Sequence, residues 1–386
     1  MTVGRKIRSM LTHIRRWWPN LLHRWITASR GGVLPDGLVR SIPERLNTPA
    51  ALPSLVEWHC IRRASAESYL FPLYLPPAFR SDAAFAPRYI YRMRDVLVGT
   101  ASGICLTERD IFLESYGSLL KWFKWATPVE LSLPPTPRMP GDGPVTCLVA
   151  TGYYHFILEE LPRLLWALQQ YPELRVIICH DAPQFYHAAV DCLRQSGVLR
   201  GPVEFHPRIL AQVGDYVFTA AEEFSGFVHS ADVALVKEWG RMLPGIPDES
   251  TPEQIYISRR KVGTRSFMNE EAVEDLLRNM GITVVYLEDL DFSRQVGLFR
   301  RVNLVVAAHG AGLANLVWCA QPATVVEIFP ANFINDCYAR LASTLGYAYH
   351  PLWAASTGGA GSVDLQELRT VVGNFTAQVS VKPGQD

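Results

Sequence analysis

The chain has 386 residues, of which 48% are hydrophobic and 19% charged, and its basic and acidic side chains balance to a net charge of zero. This length exceeds one ordinary domain and predicts two. The composition excludes a disordered chain, because enough apolar surface is present to build a large core. We expect no nucleic-acid partner.

The seven cysteines are odd in number, widely spread and mostly set in apolar runs such as VIIC and LVWC. This pattern predicts reduced, buried thiols rather than a disulfide framework. No C-x-x-C pair occurs, so a zinc site is not indicated. We therefore expect a cytoplasmic protein.

The first 35 residues predict a basic amphipathic helix. They carry seven arginines and lysines and no acid, so the rest of the chain carries −7 by subtraction from zero. In KIRSMLTHIRRWWPNLLHRWI the apolar residues recur at steps of three and four, opposite the arginines. Two interpretations stay open: peripheral attachment of residues 5–30 to the anionic inner face of the cytoplasmic membrane, and packing on the following domain.

The next part of the chain predicts antiparallel strands followed by a Rossmann-like sheet. PRYIYRMRDVLVGTASGICLTERDIFLESYG alternates apolar and polar residues around a Thr-Ala-Ser-Gly break, as strands joined by a turn do. Beyond a proline-rich stretch, VTCLVA, LRVIICH and VEFHP are predicted strands, with helices YYHFILEELPRLLWALQQY and PQFYHAAVDCLRQSG between them. Such alternation predicts parallel strands with right-handed crossovers.

LPGIPDESTPEQ predicts a linker, because its prolines and glycine cannot continue a helix. A second alternation follows, with strands IYISRR, TVVYLE, NLVVAA and TVVEIF between helices NEEAVEDLLRNMG (Asn269 its cap), DFSRQVGLFRRV and AGLANLVWC. We predict an α/β fold with two Rossmann-like domains facing across a cleft. The predicted units are the basic helix at 1–35, a first domain at 36–242, the linker at 243–254 and a second domain at 255–386.

HGAGLAN, from His309 to Asn315, follows a predicted buried strand and opens a predicted helix. Gly310 and Gly312 let the backbone turn so that N–H groups at the helix start point at an anion. A dinucleotide fingerprint needs a third glycine where Asn315 stands, and an ester hydrolase needs a G-x-S-x-G elbow, which the chain lacks. A glycine turn that serves only helix-on-strand packing remains the alternative.

Two other charged residues lie at the carboxyl ends of predicted strands, which is the edge at which open α/β sheets bind ligands. Arg259 follows strand IYIS, and a guanidinium can bind phosphate oxygens bidentately, whereas the adjacent Arg260 and Lys261 are compatible with solvated surface. Glu327 ends strand TVVEIF; it either accepts hydrogen bonds from ribose hydroxyls or forms a buried salt bridge to an arginine.

His155 and Glu159 stand at i and i+4 in YYHFILEELPRL, on one face of a predicted helix. A histidine polarised by a carboxylate, or the carboxylate itself, can act as general base on a sugar hydroxyl. The alternative is a packed interior histidine. Asp289 and Asp291 form a literal D-x-D, but Asp291 precedes a helical run and predicts a helix cap, so we expect no metal there.

With these residues in view, the chain resembles glycosyltransferase family 61, which includes bacterial capsular polysaccharide enzymes, plant xylan-decorating enzymes and animal O-linked N-acetylglucosaminyltransferases. The resemblance runs from Thr151 to His350 and rests on four segments: YYHFILEELPRL, YISRR followed by Arg265 and NEE, LEDLDFSRQVGLFRRVNLVVAAHGAGLANLVW, and VVEIFP followed by NDCYARLASTLGYAYH.

This resemblance implies a GT-B architecture, with 36–242 as the acceptor-side domain and 255–386 as the nucleotide-sugar-binding domain. It also implies inversion at the anomeric carbon without a cofactor or an obligatory metal. It implies a nucleotide-sugar co-substrate, which we expect to be UDP-linked, and a glycan or lipid-linked glycan acceptor in capsule, exopolysaccharide or lipopolysaccharide synthesis. His155 and Glu159 become acceptor-side candidates; the donor-side candidates are Arg259, Arg265, His309, Gly310, Ala311, Gly312, Asn315 and Glu327. A non-catalytic nucleotide- or glycan-binding module of the same fold is the alternative. Domain closure about the linker is expected to exclude water.

Overall fold

The computed structural model describes residues 54–71, 82–107, 111–112, 115, 130, 133–149, 151–222, 225–243, 250–262, 266–331, 333–355 and 361–379. The predicted basic helix at 1–35, Arg265 and residues 244–249 of the predicted linker lie outside these ranges. No helix in the described part of the chain combines the length and apolar character that a membrane crossing requires. All seven cysteines are described and free, and six are buried, which confirms the prediction of unpaired thiols.

The first half of the described chain builds one mixed sheet. The strands are β1 (Leu55–Arg62), β4 (Arg88–Gly99), β5 (Cys105–Leu106), β6 (Ile111–Phe112), β7 (Pro135–Arg138), β8 (Val145–Leu148), β9 (Arg175–Cys179), β10 (Val203–His206) and β11 (Leu210–Thr219). They lie in the order β10-β9-β8-β11-β4-β5-β6, with β1 also paired to β4 and β7 to β11. A separate two-stranded sheet pairs β2 (Ser65–Ser68) with β3 (Asp82–Phe85).

Both predicted strand patterns of this half are confirmed, but five further strands, β1, β2, β3, β7 and β11, were not predicted. β4 and β5 are antiparallel on either side of the Thr-Ala-Ser-Gly turn, whereas β8, β9 and β10 are parallel. One of the unpredicted strands, β11, runs antiparallel to β4 from Leu210 to Thr219 and parallel to β8 at Tyr216. β11 therefore joins the antiparallel and parallel parts into a single sheet.

The second half builds a purely parallel sheet. Its strands are β12 (Gln254–Ile257), β13 (Thr283–Val285), β14 (Leu304–Ala308), β15 (Thr324–Phe329) and β16 (Ala348–Trp353), in the order β13-β12-β14-β15-β16. The four strands predicted here are confirmed, and β16 is added at the edge. The order is that of a doubly wound 2-1-3-4-5 sheet.

Helices pack on both sheets, and within the described ranges they include one π-helical and two 3₁₀ segments. The helices are α1 (Tyr153–His155), α2 (Leu161–Gln170), α3 (Phe185–Gln195), α4 (Ser230–Met242), α5 (Glu270–Asn279), α6 (Phe292–Phe299), α7 (Cys337–Leu345) and α8 (Leu365–Val379); the π-helical segment is Phe156–Glu160, and the 3₁₀ segments are Leu287–Asp289 and Ala311–Trp318. Asn269 occupies the predicted cap position of α5, although its side chain bonds the backbone of Val363 instead.

One hydrophobic core lies between the two sheets. Val176 and Ile178 of the first sheet belong to the same buried cluster as Val305 and Ala307 of the second. Trp318 of the 3₁₀ helix packs edge-on against Trp239 of α4, with ring centroids 5.9 Å apart. The two halves are therefore packed through a shared apolar layer, which fixes how their sites face each other.

Asn315 is the polar centre of this layer and is fully buried. Its Oδ1 accepts hydrogen bonds from the Tyr153 hydroxyl at 2.6 Å and the Trp318 indole at 3.0 Å, while its amide donates to Gln295 and to the Gly312 carbonyl. The sequence predicted a donor-binding role for Asn315. In this structure its hydrogen-bonding groups are taken up by protein, and the side chain joins the two halves.

We expect Asn315→Ala to lower the free energy of unfolding by about 2–4 kcal/mol, because it leaves two buried donors without an acceptor. Urea unfolding followed by tryptophan fluorescence measures the change. Asn374→Ala, on the exposed face of α8, is the matched control and should stay within about 0.5 kcal/mol of the parent. Equal stability of the two variants would contradict the joining role.

Candidate functional site

The donor-side candidates lie at the switch point of the parallel sheet. β12 and β14 are adjacent and parallel, while the chain between them passes through β13 on the far side of β12. Crevices outside the carboxyl ends of such a strand pair are where doubly wound sheets bind ligands. Arg259 follows β12 and the histidine-glycine turn follows β14, so the topology brings both to this crevice.

Arg259 and Gly310 are in direct contact across the switch point. A Cβ atom added to Gly310 would lie 2.2 Å from Nη1 and 3.1 Å from Cζ of Arg259. Gly310 has an extended backbone, with φ of 178°, so glycine is needed here for space rather than for a left-handed conformation. The guanidinium is therefore turned toward the bend, as the phosphate-binding hypothesis requires.

The segment after the turn is a helix, as predicted, but of the 3₁₀ type, from Ala311 to Trp318. Its first hydrogen bond runs from the Leu313 N–H to the Gly310 carbonyl at 3.0 Å. The N–H groups of Ala311 and Gly312 come before that bond and have no intrahelical acceptor. Gly312 also serves packing, because a Cβ there would lie 2.7 Å from the Leu287 Cδ1.

His309 and Glu327 form a buried pair beneath the turn. The Glu327 carboxylate accepts hydrogen bonds from His309 Nδ1 and from the Tyr349 hydroxyl. Burial, followed by the neighbouring carboxylate, raises the pKa of Tyr349 well above its usual range, so this phenol remains a donor. The His309 ring packs between those of Phe333 and Tyr338, at 4.9 and 5.1 Å.

This arrangement differs from both roles expected for Glu327. The side chain is fully buried, and its described partners are a histidine and a tyrosine rather than an arginine or an open ribose site. Because a carboxylate only accepts, the proton of His309 lies on Nδ1, which leaves Nε2 for any other partner. The pair joins the end of β14 to β15 directly before the turn.

We expect Gly310→Ala to weaken the binding of a nucleoside diphosphate at least about tenfold, with little loss in the free energy of unfolding. The new methyl group displaces the end of a flexible arginine side chain, which costs little folding energy but removes a charged hydrogen-bond donor worth about 1.5–3 kcal/mol. Calorimetric titration with a nucleoside diphosphate measures the loss. Gly297→Ala is the control, since nothing lies within 4 Å of a Cβ at this helical position; unchanged affinity in both variants would contradict the contact.

The acceptor-side pair is formed as predicted. His155 ends α1 and Glu159 lies in the π-helical segment that follows, a local geometry often found at functional sites. His155 Nδ1 and Glu159 Oε2 are 2.9 Å apart, with side chains 22% and 7% exposed. Glu159 Oε1 also accepts from the Ser225 hydroxyl at 2.7 Å and the Gly226 N–H at 3.2 Å.

Two tyrosine rings connect the acceptor-side and donor-side pairs. The Tyr154 ring packs edge-on against His155 at 5.1 Å and against Tyr338 at 5.5 Å. Tyr338 in turn contacts the ring of His309. The two histidine-carboxylate pairs, one from each half of the chain, are therefore separated by two tyrosine rings that contact each other.

Glu270 is a site residue that sequence reasoning assigned only to the first turn of a helix. It is buried, and its Oε1 accepts from the Tyr256 hydroxyl at 2.6 Å and the Arg259 N–H at 3.0 Å. Its Oε2 accepts from the Phe267 N–H at 3.0 Å. Glu270 thus fixes both ends of the loop that carries Arg259; its position next to the predicted cap Asn269 was the available signal.

The other charged residues that the sequence singled out and the structure describes lie on the surface. Asp291 caps α6 through the Arg294 N–H at 2.8 Å, which confirms the cap prediction. Asp289 pairs with Lys261, and Arg260 with Glu271. Within the described ranges no group of three or more histidine, cysteine, aspartate or glutamate side chains is arranged to hold a metal ion.

Comparison with known proteins assigns a family to the part of the chain that holds most of these residues. A family model described as Glycosyltransferase 61 matches residues 153–326, from the helix with His155 to a point in β15 one residue before Glu327. Residues 153–326 are a glycosyltransferase 61 domain.

Individual relatives of this glycosyltransferase domain are similar over shorter stretches. Alpha-1,3-arabinosyltransferase XAT3 of Oryza sativa subsp. japonica is 34% identical over 82 residues, 20% of this chain and 14% of the relative. XAT2 of the same plant is 31% identical over 101 residues, which are 25% of this chain and 17% of the relative. The EGF domain-specific O-linked N-acetylglucosamine transferase of Drosophila melanogaster is 28% identical over 109 residues, which are 28% of this chain and 21% of the relative. The chain thus spans less than a quarter of the length of each of these relatives.

Proposed function

We propose that the protein transfers a sugar from a nucleotide-sugar donor to a glycan or lipid-linked glycan acceptor. The observation that carries this proposal is the guanidinium of Arg259 lying against Gly310 at the switch point of the parallel sheet. A cation and backbone N–H groups fixed at that edge suit a diphosphate. The family match supplies the class of reaction.

The proposed architecture is GT-B, with an acceptor-side domain at 36–242, a linker at 243–254 and a donor domain at 255–386. Two sheets, of which the second is doubly wound and parallel, support it. The position of the two histidine-carboxylate pairs, one on each half, also supports it, because donor and acceptor then meet between the halves.

The proposed reaction is a single in-line displacement. The acceptor hydroxyl loses its proton to the base, its oxygen forms a bond to the anomeric carbon, and the bond from that carbon to the diphosphate oxygen breaks, so the configuration inverts. Negative charge grows on the departing diphosphate. Arg259 and the N–H groups of Ala311 and Gly312 are oriented before the reaction and stabilise that charge without reorganisation.

His155 is the proposed base. It is the more exposed member of its pair, and Glu159 holds its Nδ1, so Nε2 is the ring atom that can take the hydroxyl proton. Glu159 then fixes the tautomer and stabilises the imidazolium that forms, in the manner of the carboxylate in a catalytic triad.

We propose that the donor is UDP-linked and that no metal is required. The use of Asp291 as a helix cap and of Asp289 as a partner of Lys261 supports the second point.

The proposed acceptor belongs to capsule, exopolysaccharide or lipopolysaccharide synthesis at the cytoplasmic membrane. We propose that residues 5–30 attach the protein to its anionic inner face, which salt-dependent sedimentation with anionic vesicles tests.

A panel of nucleotide-sugars tests the function. We expect one donor class to raise the melting temperature of the full chain, since a ligand of the folded state stabilises it. The same donor should release nucleoside diphosphate faster when a glycan acceptor is added. Stabilisation without turnover for any acceptor would favour a non-catalytic binding module, and no stabilisation by any nucleotide-sugar would contradict the donor site.

A further inference from the structure

Helix α7, Cys337–Leu345, belongs to the donor half, yet it contacts His309 of one candidate pair and the immediate neighbours of the other pair. Its Tyr338 ring packs against His309 and against Tyr154, the neighbour of His155. Its Arg340 extends toward the acceptor half, where Nη1 donates to the Gly226 carbonyl at 3.1 Å.

The contact of Arg340 leads directly to the acceptor-side carboxylate. Gly226, whose carbonyl Arg340 holds, donates its own N–H to Glu159 Oε1 at 3.2 Å. The preceding residue, Ser225, donates its hydroxyl to the same oxygen at 2.7 Å. The loop Ser225–Gly226 is therefore held by the donor half on one side and orients Glu159 on the other.

Arg340 is itself fixed from several directions. It is 3% exposed, and its Nη2 pairs with Asp336 one turn earlier on the chain. The guanidinium lies 3.8 Å from the centre of the Phe227 ring. The planar guanidinium can stack on this ring while one terminal nitrogen donates to Asp336 and the other donates to Gly226. A lysine has a single terminal nitrogen and cannot make these three contacts together.

We propose that Arg340 is a positioning residue that holds the loop Ser225–Gly226 and thereby sets Glu159 against His155, so that the donor half of the protein orders the acceptor-side base. This inference rests on the proposed function, in which His155 accepts the proton of the acceptor. It gives α7 a role in proton transfer without any contact between Arg340 and substrate.

A double-mutant cycle separates this role from simple stabilisation of the fold. Arg340→Lys keeps the charge beside Asp336 and loses the bond to Gly226, so we expect the single-turnover rate to fall about 10- to 100-fold, as small misplacements of catalytic groups do. The melting-temperature rise caused by the donor should remain unchanged. In a His155→Ala background the same substitution should change the rate less than about twofold, because Arg340 acts by positioning the base, which that background lacks.

Arg241→Lys is the matched control. Arg241 also pairs with a carboxylate on its own helix, Glu238 at 2.8 Å, but its side chain is 66% exposed and lies at the end of α4 away from the loop. The single-turnover rate of Arg241→Lys should equal that of the parent. If Arg340→Lys fails to fold, Arg340→Gln combined with Asp336→Asn removes the pair without leaving a buried charge alone, and the cycle is repeated with that variant.

Two results would overturn the proposal: an unchanged rate in Arg340→Lys, or an equal fold-loss in the parent and His155→Ala backgrounds. A parental rate in His155→Ala alone would instead overturn the role of His155 in the proposed function, and the positioning role would be lost with it. The two failures are thus distinguished by which single variant keeps its rate.

Discussion

His155→Ala should lower sugar transfer about 10²- to 10⁴-fold, the usual contribution of a general base, while nucleotide binding stays as in the parent. The ring lies on the acceptor half, whereas the diphosphate is expected at the carboxyl ends of β12 and β14. Single-turnover transfer and calorimetric titration with the nucleoside diphosphate measure the two quantities separately.

His187→Ala is the control for this substitution, because His187 is an exposed histidine of the same half that stacks on Phe205. It should transfer sugar at the parental rate. The transfer rate of Glu159→Gln should lie between the rates of the control and of His155→Ala. An amide oxygen still accepts a hydrogen bond from His155 Nδ1, but it carries no charge to stabilise the imidazolium. Full transfer by His155→Ala would remove this residue from the mechanism.

Arg259→Ala should weaken diphosphate binding about 100-fold or more, because two charged hydrogen bonds are each worth about 1.5–3 kcal/mol. Arg259→Lys should recover only part of the loss, since an ammonium lacks the planar fork that matches two phosphate oxygens. Affinity for the nucleoside diphosphate at fixed ionic strength provides the measurement.

Arg260→Ala supplies the matched comparison, one residue along the same loop. Its side chain is 49% exposed and pairs with Glu271 at 3.3 Å, so diphosphate affinity should stay within about threefold of the parent, as expected for a screened surface charge. Equal losses in the two alanine variants would show that the loop contributes only general positive charge, and that the Arg259 contact with Gly310 has no special role.

The parallel sheet was predictable because its signals are local. NLVVAA and TVVEIF are short apolar runs bounded by turn residues, and the histidine-glycine turn between them is visible in the sequence. The pairing of His155 with Glu159 was predictable for the same reason, since residues four apart on a helix lie on one face. The π-helical turn between them leaves no comparable pattern.

What the sequence did not indicate depends on contacts between distant segments. β11 gains its place from nine residues of pairing with β4, more than a hundred positions earlier. The partner of Glu327 was expected to be an arginine or a ribose and is instead His309, because β14 and β15 bring their carboxyl ends together. Arg340 had no assigned role because the loop that it holds belongs to the other half.

The apolar layer shared by the two sheets limits how the protein can move. Separating the halves as rigid bodies would expose that layer to water, at a cost of about 25 cal/mol for each Å² of apolar surface. The shared layer therefore opposes the domain closure about the linker that was expected from the sequence. We expect the two halves to unfold together in one cooperative transition.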